Sequence, residues 1–217
     1  MFTIEQLVVQ DIMEIDDLSL KANVISIEGQ SGSGKSTLLR LLNNLDDPSS
    51  GVIRFHHQAL VDIPPLELRK RVVMLPQSSV IFDGTIRDNL LVGLKLSNQP
   101  LASDVVLEEM LHTLWIEKNL DTSASDLSGG EQQRMSLGRL LLMEESEVFL
   151  LDEPSSDLDD QTTNHVLDQF MKQTKNAGQQ VIMVTHDKEV SNKFADEVIN
   201  MDTYSKQIHH GGEANGR

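Results

Sequence analysis

The sequence contains no cysteine among its 217 residues, which excludes structural disulfides and zinc sites built on thiolates. It also lacks any run of about 18 consecutive apolar residues, the length that a membrane-spanning helix needs. The N-terminal stretch MFTIEQLVVQDIMEIDD is acidic, whereas a secretory signal would be basic. We therefore expect neither a membrane span nor an export address, which is compatible with a reducing cytosol.

Basic residues are scarce, with 18 lysines and arginines against 34 aspartates and glutamates and a formal net charge of −16. The averaged field of such a chain repels nucleic-acid phosphates and anionic lipid headgroups. We expect no nucleic-acid partner and no direct contact with lipid. Length and composition predict one domain over residues 1–209 and a disordered tail at 210–217, where the stretch HHGGEANGR is polar and contains glycines.

The stretch GQSGSGKST lies between the apolar run NVISI and the leucine-rich TLLRLLNNL, where a strand turns into a helix. Its spacing Gly29-x-x-x-x-Gly34-Lys35-Ser36 fits the phosphate-loop pattern, in which backbone N–H groups and a helix N-terminus hold a β-phosphate. Lys35 would reach the β- and γ-phosphates, and the Ser36 hydroxyl would bind Mg²⁺. The predicted nucleotide-binding residues here are Gly29, Gln30, Ser31, Gly32, Ser33, Gly34, Lys35, Ser36 and Thr37.

Two adjacent carboxylates end the apolar run VFLLDEP, as expected of a buried parallel strand that delivers acids at its carboxyl end. Neighbouring side chains of a strand point to opposite sides, so Asp152 and Glu153 cannot do the same work. We predict that Asp152 holds the metal ion and that Glu153 polarises the attacking water.

A second glycine-rich segment, DLSGGEQQRMSLGRLLLM, again places a serine and glycines before a helix. Ser128, Gly129 and Gly130 open that helix, and its apolar side comprises Met135, Leu137, Leu140, Leu141 and Leu142. One nucleotide needs one phosphate cradle. The second element therefore indicates either a second ligand or a site completed by another copy of the chain.

With these segments in place, the chain resembles the ATP-binding cassette (ABC) family. The resemblance covers nearly the whole chain and rests on GQSGSGKS, LPQ, LSGGE, VFLLDE, SSDLD and VTH, which stand in the family's order. It implies ATP and Mg²⁺ as cofactors, and a two-fold head-to-tail dimer in the ATP-bound state.

The resemblance also implies roles for individual residues. Gln77 would contact Mg²⁺ and the attacking water, and His186 would bond the γ-phosphate and steady Glu153. Ser128, Gly129 and Gly130 would bind the γ-phosphate held by the opposite protomer. Asp157 and Asp159 would line the dimer seam. The catalytic set is thus Glu153, His186, Gln77 and Lys35, and the metal-binding set is Ser36, Gln77 and Asp152.

The predicted fold is α/β, a phosphate-loop core with a mainly parallel sheet, an N-terminal antiparallel β subdomain and an inserted helical subdomain at about 84–145. TIEQLVV and GVIRFHH read as antiparallel strands, and NVISI, RVVML, VFLLD and VIMVT as core strands. In the helix predicted from ASDVVLEEMLHTLW, we expect an apolar face of Val105, Val106, Met110, Leu111 and Leu114, with Trp115 in the core.

The sequence departs from the family where an aromatic ring commonly stacks on adenine, because the corresponding region VVQDIMEIDD has no aromatic residue. Phe2 is a poor substitute by position, and the only tyrosine is Tyr204. We predict weak base discrimination, with GTP competing against ATP.

The resemblance implies an ATP-hydrolysing subunit that drives a separate transmembrane permease from the cytoplasmic face of the cell membrane. Membrane contact would occur only through that permease, whose coupling helix would dock near Ser78–Leu90. Two segments, LSGGEQQRMSLGR and VTHDKEVSNKFADEVINM, look most like the Fet-type iron-efflux cassettes and their plant relatives. Two alternatives stay open: a soluble cassette that powers assembly of a protein or iron–sulfur scaffold complex, and a non-hydrolysing ATP clamp.

Overall fold

A computed structural model describes residues 1–156 and 158–206 of the chain. Asp157, predicted at the dimer seam, and the predicted tail at 210–217 lie outside the described residues. The strands in chain order are β1 (Phe2–Val9), β2 (Met13–Leu20), β3 (Val24–Glu28), β4 (Ser50–Phe55), β5 (Gln58–Ala59), β6 (Val72–Leu75), β7 (Val148–Asp152), β8 (Gln180–Val184) and β9 (Glu197–Asn200).

The α-helices, again in chain order, are α1 (Lys35–Leu42), α2 (Pro65–Arg71), α3 (Ile86–Ser97), α4 (Asp104–Thr113), α5 (Gly129–Leu141), α6 (Asp160–Asn176) and α7 (Lys188–Phe194). Short 3₁₀ turns occupy Leu60–Asp62, Ala124–Asp126 and Met201–Thr203. Within the described part of the chain, no helix combines the length and the hydropathy needed to cross a bilayer.

The N-terminal sheet is antiparallel, with strand order β2-β1-β4-β5. Its inner face is apolar: Phe2, Ile4 and Leu7 of β1 are buried, and the Phe2 ring packs against Phe55 with centroids 4.8 Å apart. The predicted strands β1 and β4 are confirmed. Strand β2 was not predicted, because its sequence MEIDDLSL alternates only in part.

The second sheet is parallel throughout, with strand order β6-β7-β8-β3-β9. Strands β7 and β8 are buried at every position, as expected where helices cover both faces of a sheet. The four predicted core strands and the α/β fold class are confirmed. Since β7, β8 and β3 are neighbours, their carboxyl ends bring residues that are distant in the sequence to one edge.

Helices α3, α4 and α5 lie within the segment 84–145 predicted as a helical subdomain, whose boundaries stay a prediction. The predicted apolar face of α4 is wrong in part. Leu107, Met110, Leu111 and Leu114 form the buried face at true helical spacing, whereas Val105 and Val106 are 64% and 41% exposed.

Trp115 was also misplaced by the sequence reasoning, because it is 43% exposed. Its ring stacks on His165 of α6, with centroids 3.8 Å apart. The indole therefore covers the outside of the α4–α6 contact and does not enter the core.

Candidate functional site

A cavity of about 390 Å³ opens at the carboxyl edge of the parallel sheet. It joins the phosphate loop to the ends of β7 and β8. The residues that line it are Ile12, Ser31, Gly32, Gly34, Lys35, Ser36, Thr37, Gln77, Asp152, Glu153, Val184 and His186. All of the predicted catalytic and metal-binding residues are in this set.

The phosphate loop follows β3 and ends at the first residue of α1. Gly29, Gly32 and Gly34 have φ values of 144°, 82° and 94°, which glycine adopts most readily. A Cβ on Gly29 would lie 2.8 Å from Asp202 Oδ1, the atom that accepts the N–H of Gln30 at 2.8 Å. The loop is thus held from outside by Asp202.

Lys35 is buried, with 7% of its surface exposed. Its Nζ donates to the carbonyl oxygens of Gly29 and Gln30, both at 2.8 Å. These bonds satisfy a buried ammonium within its own loop. The same ammonium lines the cavity, where it can exchange carbonyl oxygens for the oxygens of an anion.

Ser36 and Asp152 meet across the cavity floor, with Ser36 Oγ donating to Asp152 Oδ1 at 3.1 Å. Burial raises the pKa of Asp152, and the Ser36 hydrogen bond, Lys35 and His186 act in the opposite direction. Hydroxyl and carboxylate oxygens are ligands that Mg²⁺ prefers, and a divalent cation would stabilise the ionised carboxylate. The donor set, with Gln77 in the same cavity, fits a magnesium ion.

Glu153 turns away from Asp152 toward His186. His186 Nε2 lies 3.3 Å from Glu153 Oε1, and the backbone N–H of His186 donates to Oε2 at 3.2 Å. The Glu153 side chain is only 13% exposed. Its backbone has a φ of 51°, a left-handed conformation that is uncommon for a residue other than glycine. Asp152 and Glu153 therefore serve different parts of the cavity.

The segment 128–130, here called the Ser128 loop, does not line this cavity. Ser128 caps α5: its Oγ accepts the N–H of Glu131 at 3.3 Å, while Glu131 Oε2 accepts the N–H of Ser128 at 2.8 Å. Ser128 and Gly129 are exposed, and a Cβ on Gly129 would meet no atom within 4 Å. The helix N-terminus is therefore open to solvent and is not part of the cavity that the phosphate loop of its own chain lines.

Four other residues with predicted roles do not line this cavity, namely Gly29, Gln30, Ser33 and Asp159. Gly29 and Gln30 line a neighbouring cavity of about 320 Å³, and Ser33 is buried. Asp159 caps α6, accepting the N–H of Thr162 at 3.0 Å.

Sequence reasoning missed two residues of the cavity, Ile12 and Val184. Val184 ends the apolar run before the predicted His186, and that position was a usable signal. Ile12 lies in the β1–β2 turn, and nothing local marks it. Phe2, the nearest aromatic residue in sequence, is fully buried.

A separate, largely apolar groove of about 560 Å³ lies between α2, α3 and α5. Leu66, Val80, Phe82 and Leu96 line it and are 75%, 48%, 42% and 78% exposed. Val80 and Phe82 come from the segment Ser78–Leu90 that was predicted to form a docking groove.

The charged residues of this groove are Glu67, Arg69, Lys70 and Arg139. Arg139 donates to the carbonyl oxygens of Asn89 at 2.8 Å and Val80 at 3.1 Å. Burial lowers its pKa to about 10. Among the described residues, no carboxylate forms an ion pair with it. The groove therefore combines an apolar floor with an excess of positive charge.

The glycine loop ahead of α1, the Ser36–Asp152 pair and the Glu153–His186 pair define a phosphate-loop nucleotide-binding domain. A family model described as "ABC transporter" matches residues 16–156. The chain belongs to the ABC transporter family.

Curated relatives extend beyond this chain. Protein STAR1 of Oryza sativa subsp. japonica is 36% identical over 191 residues, which are 87% of this chain and 55% of the rice protein. Methionine import ATP-binding protein MetN 2 of Bacillus thuringiensis subsp. konkukian (strain 97-27) is 32% identical over 88% of this chain and 58% of its own length. The chain thus spans little more than half the length of these relatives.

Solved structures share the fold over most of the chain. A dimer of the ATP-binding cassette MJ0796 in a post-hydrolysis state, bound to ADP and Pi, is 26% identical with a TM-score of 0.80, covering 92% of this chain and 94% of that one. An ATP-bound bacterial Atm1-family ABC exporter is 26% identical with a TM-score of 0.79, over 92% of this chain and 36% of the exporter.

Proposed function

We propose that the chain is the ATP-binding and ATP-hydrolysing subunit of an ABC transporter, which drives a separate permease through ATP-dependent head-to-tail dimerisation. One observation carries the proposal: a single cavity joins the phosphate loop, the Ser36–Asp152 pair and the Glu153–His186 pair, while the ordered Ser128 loop stays open to solvent. The phosphate loop would hold the nucleotide of its own chain. The Ser128 loop, which lies outside that cavity, would be available to bind the nucleotide of a second protomer.

ATP and Mg²⁺ are the proposed cofactors. When bound, the metal ion would neutralise charge on the phosphates, and Ser36, Gln77 and Asp152 would hold it. Lys35 would release the carbonyl oxygens of its own loop and bind phosphate oxygens in their place. The backbone N–H groups of the loop and the N-terminus of α1 would hold the β-phosphate.

Glu153 is the proposed general base of the hydrolysis. Its carboxylate would accept the proton of the attacking water, and its contact with His186 fixes the direction in which it points. The imidazole, which is 63% exposed, is free to bond a phosphate oxygen as well. Positioning and charge stabilisation supply most of the rate enhancement in phosphoryl transfer.

Dimerisation would complete the site. In a head-to-tail dimer, Ser128, Gly129 and Gly130 of one protomer would cap the nucleotide bound by the other. The exposure of this helix N-terminus and its absence from its own chain's cavity support that arrangement. The cassette MJ0796, which shares the fold, has a dimeric structure. ATP would then join the protomers, and hydrolysis would release them.

The groove between α2, α3 and α5 is the proposed docking site for the permease. Large apolar side chains as exposed as Leu66 and Leu96 are typical of a surface that a partner protein covers. The basic side chains of the groove, those of Arg69, Lys70 and Arg139, would attract a partner segment that carries acidic residues. This docking would hold the protein at the cytoplasmic face of the membrane. Gln77 lines the nucleotide cavity while Val80 and Phe82 line the groove, so one short loop touches both sites.

The proposed transporter would export iron or another metal ion. This hypothesis rests on the resemblance of two segments to Fet-type iron-efflux cassettes. Relatives at similar identity include a methionine importer, so direction and cargo need a direct test. Metal accumulation in cells lacking this chain would rise if the hypothesis holds. An unchanged metal content with altered amino-acid uptake would contradict it.

Affinity purification from detergent-solubilised membranes tests the transporter role. The wild-type chain should co-purify with a polytopic membrane protein, and Leu96→Glu should abolish this because it places a charge in the apolar groove. Val61→Glu is the matched control, since Val61 is 77% exposed against 78% for Leu96 and lies outside the groove. Exclusive recovery of soluble partners would instead support a cassette that powers assembly of a scaffold complex.

A further inference from the structure

Gln133, in the second turn of α5, is completely buried. An amide in such a place is costly unless its oxygen and nitrogen both find partners. Its neighbours along the buried face of the helix include Met135, Leu137 and Leu140, which offer none. The partners that Gln133 does have therefore account for its presence.

Both ends of the Gln133 amide are bonded to other segments. Its Oε1 accepts a hydrogen bond from Ser79 Oγ. Its Nε2 donates to the backbone carbonyl oxygen of Glu153 at 3.5 Å. Gln133 thus ties α5, the helix that Ser128 caps, to the loop that follows Gln77 and to the peptide of Glu153.

The peptide of Glu153 needs such support. Its left-handed φ of 51° costs on the order of 1–3 kcal/mol for a residue other than glycine, and persists only where the surroundings enforce it. On the amino side, its N–H donates to the carbonyl oxygen of Val184 at 2.9 Å. On the carbonyl side, Gln133 and the N–H of Ser156, at 3.2 Å, are the donors.

We propose that Gln133 is a positioning residue for hydrolysis. It holds the Glu153 peptide in the conformation that aims the carboxylate at His186 and the cavity. Through Ser79 it also links that peptide to the loop between the nucleotide cavity and the docking groove. This inference rests on the proposed ATPase function.

A matched pair of substitutions separates positioning from stability. Gln133→Met keeps the length of the side chain and removes the amide. Gln180→Met does the same to a glutamine that is 2% exposed and donates to the carbonyl oxygen of Ala22 at 2.7 Å, at the opposite end of β8 from the cavity. Both variants lose the hydrogen bonds of a buried amide, but only Gln133 bonds Glu153.

Steady-state phosphate release from Mg²⁺-ATP is the measurement. Gln133→Met should lower kcat by about ten- to hundred-fold, because misplacing a catalytic group by about 1 Å costs that much. KM should stay within about two-fold, since Lys35 and Ser36 keep their contacts. Gln180→Met should lower the unfolding temperature and leave kcat unchanged.

A double-mutant cycle identifies the route of the effect. In the Glu153→Gln background, the further change Gln133→Met should cost almost nothing in single-turnover rate, because the two act as one unit. Additive losses would overturn the inference. If Gln133→Met does not fold, Ser79→Ala in the loop carries the test, and a wild-type kcat there would overturn it too.

Two outcomes distinguish loss of the Gln133 positioning role from loss of the ATPase function. A wild-type chain that hydrolyses ATP normally, with Gln133→Met equal to Gln180→Met in kcat, refutes only the positioning role. A wild-type chain that binds nucleotide and shows no turnover, alone or with its permease, refutes the ATPase proposal and the inference with it.

Discussion

Replacement of Glu153 by glutamine isolates the basicity of one side chain. The amide is isosteric, and its oxygen can still accept the His186 backbone N–H that now donates to Oε2 at 3.2 Å. The left-handed backbone of Glu153 is unaffected by the change. We therefore expect folding and nucleotide binding to persist while proton acceptance is lost.

The expected loss follows from that geometry. A positioned general base contributes about 10²–10⁴-fold to a rate, or roughly 3–5 kcal/mol of transition-state stabilisation. Glu153 is 13% exposed and in contact with a histidine, so bulk water cannot readily replace it as the proton acceptor. We expect kcat to fall across this range and the affinity for ATP to change by less than about three-fold, since Lys35 and Ser36 are untouched.

Phosphate release at saturating Mg²⁺-ATP measures the loss, and size-exclusion chromatography with ATP measures association. Glu153→Gln should accumulate an ATP-bound dimer that reverts to monomer when nucleotide is removed. Glu189→Gln, on the exposed first turn of α7, is the control and should behave as wild type. A Glu153→Gln variant with normal turnover would refute the assignment of the base. An ATP-loaded variant that stays monomeric would refute the shared site.

Further predictions concern Asp152, the recognition of the nucleotide base near Ile12, and the backbone at Gly51. Burial raises the pKa of Asp152, so the ionised carboxylate disfavours the folded state above that pKa, and the penalty disappears on acidification. Asp152→Asn should raise the unfolding temperature of the nucleotide-free protein near neutral pH and abolish Mg²⁺-dependent nucleotide binding. A lowered unfolding temperature of this variant in a thermal scan would contradict the expected penalty. GTP should compete appreciably with ATP for the wild-type protein in competition binding. Ile12→Tyr should tighten nucleotide binding by about five-fold or more, because base stacking contributes about 1–3 kcal/mol. A large preference of the wild type for ATP would show that another residue recognises adenine. Gly51 has a φ of 93°, and a Cβ added there would clash with the Gln6 carbonyl oxygen. Gly51→Ala should therefore destabilise the fold by roughly 1–3 kcal/mol in urea unfolding. Gly129→Ala, with open space at its Cβ, should stay within about 1 kcal/mol of wild type, and equal effects of the two would contradict the argument.

Edge elements show where sequence patterns fail. Strands β2 and β9 lie at sheet edges with one neighbour each, and more than half of their residues are not fully buried. The edge strand β6, which was predicted, has half of its residues buried. Such strands carry a weaker apolar signal than β7 or β8, which are buried at every position. The helix α4 shows a second kind of failure. Val105 and Val106 are apolar and were predicted to be buried, but the apolar character of a residue does not determine which face of a helix is covered.

The sequence by itself determined the parts of the site that are built locally. The phosphate loop, its glycines and Lys35 lie within one stretch, and the lysine bonds carbonyl oxygens five and six positions earlier. The capping of α5 by Ser128 and Glu131 is likewise local. Short-range backbone geometry governs such features, so residue type and spacing suffice to predict them.

Only the tertiary structure decided which of these parts meet. Ser36 and Asp152 are 116 positions apart and touch because β7, β8 and β3 are neighbours in a parallel sheet. The same strand order brings Glu153 to His186, and helix packing brings Gln133 to both Ser79 and the Glu153 peptide. Strand order and helix packing result from burying the whole apolar surface at once, a property that no single stretch of sequence contains.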